Sequence, residues 1–209
     1  AAGECACVSI NGANRLGSNS LVELLVFGKR AALSAIEHIE KAPAANTTAV
    51  DACADKTQQR IRALFSRTDG TESVAGLRKE MMTTMEDNAG IYRTEAGLQA
   101  AVAKIHELRD RYRRVVLTDK TNVYNTDLFQ TLELGSMLDC AEAVTVGGLA
   151  RKESRGAHQR LDFPERDDQN FLRHTMVYHQ GADAPRVDYL DVVITKSQPG
   201  VRDYSGDHK

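Results

Sequence analysis

A long apolar helix pattern begins at Leu21, directly after a turn rich in Gly, Ser and Asn, and these two features limit the folds open to the chain. The pattern reads LVELLVFGKRAALSAIEHIE, and Glu23 alone interrupts its first two turns. A helix that is apolar on nearly all sides normally lies inside a protein core. We therefore predict a deeply buried helix that takes its N-cap from the SNS segment 18–20 and ends near Pro43.

The turn that precedes this helix carries groups suited to an anion and a flat ligand. Glu4 follows a glycine and could accept hydrogen bonds from ribose-like hydroxyls, while Gly12 and Gly17 allow the backbone to approach a ligand closely. Arg15 can clamp a carboxylate with two parallel hydrogen bonds. The N–H groups at the start of the helix, with its positive dipole end, favour the same partner. The alternative is a Gly-rich turn whose arginine makes a surface salt bridge.

The remaining pattern predicts helices, then a polar loop and a hairpin. Apolar residues recur at helical spacing and predict helices over residues 49–65, 71–86, 94–112 and 127–149. The stretch Leu77–Leu149 indicates an antiparallel bundle with methionines in its core. A short strand is predicted at Cys5–Ile10. The polar segment 151–170 has no period, and the strand patterns Phe171–His179 and Arg186–Ile194 predict a β-hairpin.

The charge balance weighs against nucleic acid as a partner. Lys and Arg number 27 and Asp and Glu 29, so the net charge is -2, whereas dedicated nucleic-acid binders usually carry a basic excess. The basic run Arg109–Arg114 is instead expected at a solvated helix end. No apolar run approaches the roughly 20 residues that a membrane span needs.

The cysteine and histidine residues predict no metal site. The four cysteines, which include Cys5 and Cys7 two residues apart, are expected to be free thiols that behave as small buried apolar side chains. His106, His174 and His179 lack the spacing of zinc ligands.

Several sequence runs resemble the flavoprotein subunits of fumarate reductase and succinate dehydrogenase. They are GECAC at Gly3–Cys7, NGANRLGSNSL at Asn11–Leu21, IYRTE at Ile91–Glu95, NTDL at Asn125–Leu128, RKESRGAHQRLD at Arg151–Asp162 and ERDD at Glu165–Asp168. They follow one another in order over nearly the whole chain. The details look closer to fumarate reductase, notably IYRTE, the RKESRGAHQRLD run and DVVIT at Asp191–Thr195.

The resemblance implies roles for five residues of the turn. Glu4 would be a ligand of FAD, Arg15 would bind a carboxylate of fumarate or succinate, and Ser20 and Leu21 would contact the flavin. Asn11 stands beside the substrate where relatives often have His. An amide can donate a hydrogen bond but carries no charge, so a neutral substrate contact is expected there.

The resemblance also implies a longer subunit. Relatives carry a G-x-G-x-x-G motif for the FAD pyrophosphate, a His bonded covalently to the flavin and an Arg that protonates the substrate. This sequence has no G-x-G-x-x-G. We therefore expect a C-terminal part of the subunit, with no catalytic residue of its own and with the covalent flavin attachment outside it.

The implied fold is mostly α. Residues 1–45 would end an FAD-binding α/β domain, 46–150 would form the antiparallel helical bundle, and 151–209 would form a C-terminal loop and β-hairpin domain. The implied partners are an iron–sulfur subunit and membrane anchor subunits. The implied location is peripheral, on the cytoplasmic side of the inner (plasma) membrane.

Alternatives stay open at this point. Succinate dehydrogenase uses the same residues in the opposite direction. L-aspartate oxidase shares the NGANR and ESRG elements without an iron–sulfur partner, although the 127–149 helix and the DVVIT strand favour the reductase. A non-enzymatic helical interaction module would fold alone and bind without flavin, whereas the flavoprotein assignment predicts that the isolated chain folds poorly.

The charged loop has two interpretations. Arg155, His158 and Arg160 could order the loop against the FAD domain or the iron–sulfur partner. They could equally form a local network of ion pairs with the acidic residues Glu153, Asp162 or Asp167.

Overall fold

Helices make up most of the protein. The computed structural model describes residues 1–6, 8–12, 15–44, 46–181 and 183–200. Its helices are α1 (Asn19–Lys41), α2 (Thr47–Ser66), α3 (Val74–Ala89), α4 (Glu95–Tyr112), α5 (Thr126–Ala150) and the short α6 (Asp168–Phe171). In that described part, β1 (Tyr92–Arg93) pairs in parallel with β2 (Gln159–Arg160), and β3 (Arg173–Gln180) pairs antiparallel with β4 (Asp183–Asp191). The mostly helical fold with small sheets and the C-terminal hairpin are confirmed, while residues 201–209 lie outside the described part.

Side-chain caps explain where four of the helices begin. Each cap oxygen accepts a hydrogen bond from a backbone N–H in the first helical turn, which satisfies a donor that has no partner inside the helix. The capping residues are Asn46 for α2, Ser73 for α3, Thr94 for α4 and Asn125 for α5. These polar residues fix the helix starts to within a few positions of the sequence pattern.

The core lies between α3, α4 and α5. Its buried members are Val74, Leu77, Met81, Ile105, Leu108, Val115, Leu134, Leu138 and Ala141, with Met85 and Met137 partly buried against them. Arg109 of α4 pairs with Asp139 of α5 at 2.9 Å, and Tyr112 Oη, three residues later, donates to the Thr131 carbonyl at 2.8 Å. The position on α5 decreases as that on α4 increases, so α4 and α5 run in opposite directions.

Truncation of the core is expected to destabilise the protein strongly. We expect Leu108→Ala to lower the free energy of unfolding by about 2–5 kcal/mol, because it removes buried methyl groups and leaves a cavity. The matched control is Leu161→Ala, since Leu161 is 62% exposed. Chemical denaturation measures both changes, and equal losses would contradict a core at Leu108.

The basic run at the end of α4 takes part in ion pairs. Arg111 Nη1 lies 2.8 Å from Glu80 Oε2 and its Nε lies 2.9 Å from Glu72 Oε1. Lys104 Nζ lies 2.9 Å from the same Glu80 carboxylate. The hydrogen bonds from Arg111 and then Lys104 hold the pKa of Glu80 at about 2. The Arg113 and Arg114 side chains, 72% and 59% exposed, lie at a solvated helix end as predicted, while acidic side chains of α3 and of the segment before it hold Arg111.

The first helix departs most from expectation, because its apolar side chains are exposed. Leu25 is 77% exposed and Ile39 is 76% exposed. Among the described residues, no other helix or strand packs extensively against α1. The predicted deep burial is therefore wrong for this chain: an apolar pattern shows that a helix needs a covering surface, and these residues do not supply one. No described helix, α1 included, is long and apolar enough to cross a membrane.

Two further predictions, a strand near the start of the chain and the burial of the cysteines, are wrong. No strand forms in the described part of Cys5–Ile10; a 3-10 turn spans Glu4–Ala6, and positive φ at Ser9 (62°) is unsuited to extended backbone. Cys5, Cys53 and Cys140 are free, as expected, but they are exposed and not buried. Cys7 lies outside the described residues.

Candidate functional site

The turn before α1 brings Arg15 against the start of the helix. Arg15 Nη1 donates a hydrogen bond to Ser20 Oγ at 3.2 Å, and the Arg15 side chain is exposed. The backbone N–H of Leu21 donates to the Ser18 carbonyl at 3.1 Å. Three of the predicted site residues, Arg15, Ser20 and Leu21, therefore lie at one end of α1. Ala13 and Asn14 of the NGANR run lie outside the described residues.

The N-terminal end of α1 differs from those of α2 to α5. Ser18 occupies the N-cap position with a left-handed backbone (φ 65°), and its side chain makes no capping hydrogen bond. The predicted side-chain cap from segment 18–20 is therefore wrong, because a left-handed backbone is not the extended one that a capping side chain needs. Among the described residues, none accepts a hydrogen bond from the Ser20 backbone N–H. This donor and the positive end of the helix dipole suit an anion or an electron-rich ring atom.

Asn11 lies against α1 through Glu23, which is not among the predicted site residues. Asn11 Nδ2 donates to Glu23 Oε2 at 2.9 Å, and Glu23 is 5% exposed. The Asn11 Oδ1 atom is buried and accepts no hydrogen bond from the described residues. The signal that could have identified Glu23 is its position as the one charged residue in the first two turns of an apolar helix.

Glu4 is exposed in the 3-10 turn, on a segment that packs on α1. Gly3 is buried with φ 80°, and a Cβ added to it would lie 2.3 Å from Leu24 Cδ2. Only glycine fits this close approach and this left-handed backbone. The glycine therefore allows the backbone next to Glu4 to lie directly on Leu24 of α1.

The chemistry of these groups fits FAD. The exposed Glu4 carboxylate can accept hydrogen bonds from sugar-like hydroxyls. The uncapped end of α1 offers a backbone donor for an electron-rich atom of the flavin ring. Among the described residues, no group of three or more His, Cys, Asp or Glu side chains could hold a metal ion.

The charged loop after α5 forms a local network centred on Glu153. The Glu153 carboxylate is fully buried and accepts from Arg155 Nε at 2.8 Å, Arg151 Nε at 2.8 Å and the Asp167 backbone N–H at 2.8 Å. Burial by itself would raise the pKa of Glu153, but these hydrogen bonds outweigh it and hold the pKa below its usual value. Arg155 Nη2 also forms an ion pair with Asp168 Oδ1 at 2.6 Å. These contacts favour the local-network interpretation of the loop.

The same loop buries Arg160 and His158. Arg160 pairs with Asp162 at 2.8 Å and keeps the pKa of that carboxyl well below its usual range. His158 Nδ1 lies 2.9 Å from Arg93 Nη1, and Nε2 lies 3.0 Å from the Arg151 carbonyl oxygen. A guanidinium only donates, so Nδ1 accepts and Nε2 carries the hydrogen. Burial, and then the charges of neighbouring arginines, lower the pKa of His158.

We expect His158 to make stability depend on pH. Unfolded histidine titrates near pH 6.5, and a lowered pKa in the folded state means that protons bind the unfolded state better. The stabilisation is therefore complete above about pH 6.5 and is lost as the pH falls through the folded-state pKa. Chemical denaturation gives the free energy of unfolding at about pH 7.5 and about pH 5.5. The decrease of this free energy between the two pH values should be smaller for His158→Gln than for the wild type. His38→Gln, at an exposed position of α1, should retain the full loss; the same loss in both variants would contradict this assignment.

Comparison with known proteins identifies the family. A family model described as the C-terminal part of the fumarate reductase flavoprotein matches residues 78–204. The chain belongs to this family. The fumarate reductase flavoprotein subunit of Haemophilus influenzae is 48% identical over 99% of this chain and 34% of its own length. The succinate dehydrogenase flavoprotein subunit of Rickettsia bellii is 41% identical over 92% of this chain and 32% of its own length.

A solved structure of E. coli quinol fumarate reductase supports the same assignment. The two structures superpose with a TM-score of 0.91 at 46% sequence identity, and the match covers 96% of this chain and 34% of the E. coli chain. The resemblance is therefore closer to the fumarate reductases compared than to the succinate dehydrogenase. The chain spans about a third of the length of the curated relatives that it matches. Membership of a flavoprotein family implies a flavin cofactor.

Proposed function

We propose that the chain is part of the flavoprotein subunit of a membrane-associated quinol:fumarate oxidoreductase that interconverts fumarate and succinate. The observation that carries the proposal is the exposed Arg15 held to Ser20 at the uncapped end of α1. An arginine at the positive end of a helix dipole suits a dicarboxylate. The 48% identity to a fumarate reductase flavoprotein subunit supports this substrate class.

The residues of this chain would bind and orient the reactants. Arg15 would hold one substrate carboxylate with two parallel hydrogen bonds and draw electron density toward it, and Asn11 would add a neutral hydrogen bond. Glu4 would accept hydrogen bonds from hydroxyls of FAD, while Ser20 and Leu21 would contact the flavin at the start of α1. FAD, when bound, supplies reversible two-electron chemistry as hydride transfer.

The remaining groups would lie elsewhere in the full-length subunit. We propose that these include the proton-donating arginine and the covalent attachment of FAD. Residues 1–45 would complete an FAD-binding domain, whose other part would cover the exposed apolar side chains of α1. The exposure of Leu21, Leu24 and Leu25 supports this arrangement, because neighbouring exposed apolar side chains mark an interaction surface.

We further propose an iron–sulfur subunit and membrane anchor subunits as partners. The full-length protein would lie peripherally on the cytoplasmic side of the inner (plasma) membrane. The name of the E. coli relative, quinol fumarate reductase, supports a quinol as the source of electrons.

Purification of the full-length subunit tests the proposal. We expect it to carry FAD, to co-purify with an iron–sulfur subunit, and to reduce fumarate with an artificial electron donor. A flavoprotein without such a partner that oxidises aspartate would instead establish L-aspartate oxidase. A stable protein that binds neither flavin nor dicarboxylate would establish an interaction module.

A further inference from the structure

Glu23 occupies an unusual position in α1. It is the buried residue of this helix in the described part of the chain, although most of the apolar side chains around it are exposed. Glutamate is among the residues least often fully buried, and a buried carboxylate needs hydrogen-bond partners. The burial of Glu23 therefore indicates a specific contact.

That contact joins Glu23 to the turn proposed to hold the substrate. Asn11 Nδ2 donates to Glu23 Oε2 at 2.9 Å, across twelve positions of the chain. The bond between Arg15 and Ser20 forms a second link, five residues apart. The turn is therefore held to the first turns of α1 at two points, Asn11 and Arg15.

The Glu23 carboxylate also determines how the Asn11 amide is oriented. A carboxylate only accepts hydrogen bonds, so it selects the nitrogen end of the amide and fixes the oxygen end in the opposite direction. The Asn11 Oδ1 atom is buried without a donor among the described residues. One N–H of the same nitrogen stays available to a substrate carboxylate.

We propose that Glu23 is a positioning residue of the dicarboxylate site that acts through Asn11. The inference rests on the proposed function and adds to it a residue that has no direct contact with the substrate. Loss of the Glu23 acceptor frees the amide to rotate, so the substrate contact is made in only part of the population. Affinity for a dicarboxylate falls, while the hydride transfer step and FAD binding do not depend directly on Glu23.

A double-mutant cycle in the full-length, flavin-loaded enzyme tests the inference. The variants are Asn11→Ala, Glu23→Ala and the pair, and the readouts are the Kd of malonate, measured from the flavin absorbance, and the KM and kcat for fumarate. Each single variant is expected to weaken malonate binding about tenfold, because each removes a hydrogen bond to a charged group or its orienting partner. The pair should also lose about tenfold, since residues that act through each other are not additive.

Two further variants separate orientation from a general structural effect. Glu23→Gln keeps a carbonyl oxygen that accepts from Asn11, so its affinity should remain close to the wild type. Glu37→Ala is the matched control on the same helix, because the Glu37 side chain is 73% exposed. Should Glu23→Ala lose FAD, Glu23→Met fills a similar volume without an acceptor and is expected to show the same loss of affinity.

Three outcomes would overturn the inference. They are an additive loss of about 100-fold in the pair, equal affinities for Glu23→Ala and Glu37→Ala, and equal losses for Glu23→Gln and Glu23→Ala. A wild-type enzyme that binds no malonate and reduces no fumarate would overturn the proposed function itself, and this inference with it.

Discussion

Replacement of Arg15 by Ala is expected to lower kcat/KM for fumarate by about 100- to 1,000-fold in the full-length subunit, which is the usual effect of removing a preorganised donor from a site of developing negative charge. The Arg15 side chain is exposed, and its described contact is a single hydrogen bond to Ser20. Its removal should therefore leave the fold and the FAD content nearly unchanged. Steady-state reduction of fumarate, with flavin content measured on the same sample, gives the result.

A lysine at the same position distinguishes charge from geometry. Arg15→Lys keeps the positive charge but loses the planar pair of parallel hydrogen bonds. We expect it to recover only a small part of the lost activity, mainly through KM. Arg30→Ala is the control, because Arg30 is an exposed residue of α1 whose guanidinium lies 5.6 Å from the centre of the Phe27 ring. If Arg15→Ala were as active as Arg30→Ala, the substrate site would lie elsewhere.

The helices of the core could be predicted because two independent signals agree. Leu98, Ile105 and Leu108 recur at helical spacing in α4, and all three are fully buried. Thr94 then marks the start of this helix through its hydrogen bond to the Gly97 N–H at 3.1 Å. Periodicity locates the buried face and the capping residue locates the end, so the bounds of α4 follow from local sequence.

The burial of the charged segment after α5 could not be predicted from the sequence in the same way. Its buried residues are Glu153, His158 and Arg160. Because these residues are polar and follow no apolar period, the sequence pattern predicts an exposed loop. Their burial depends on pairing between residues far apart in the sequence, as in the hydrogen bond from Arg93 Nη1 to His158 Nδ1, which joins residues 65 positions apart at 2.9 Å. Pairing at this distance is a property of the folded chain and leaves no local pattern.

In the candidate site, too, some residues could be predicted from the sequence and others could not. Arg15 could be predicted from the sequence because an arginine in a Gly-rich turn before a helix suits a carboxylate, and Ser20 from the family resemblance; the structure joins the two directly. Glu23 was missed because a charged residue within an apolar run usually points to solvent. The geometry reverses that expectation, since Glu23 is buried while Leu21 and Leu25 are exposed.

Removal of the carboxylate at Glu153 is expected to have the largest effect on stability. Glu153→Ala should lower the free energy of unfolding by about 3–5 kcal/mol, because removal of one partner from a buried ion-pair network leaves the other charges uncompensated. Arg151 and Arg155 would each lose a bonded carboxylate, and the Asp167 backbone N–H would lose its acceptor. Arg151 also donates to the Arg173 carbonyl at 2.9 Å, so the contact between α5 and the hairpin should weaken as well.

Chemical denaturation with a matched variant isolates this effect. Glu165 is exposed in the same segment, and Glu165→Ala should change the free energy of unfolding by less than about 0.5 kcal/mol. The free energy of unfolding of Glu153→Gln should lie between those of Glu153→Ala and Glu165→Ala, because the amide keeps one acceptor but carries no charge. Equal stabilities for Glu153→Ala and Glu165→Ala would mean that the network adds nothing to folding. A loss near the expected value would show that paired charges, without apolar periodicity, hold the segment between α5 and the hairpin in a single conformation.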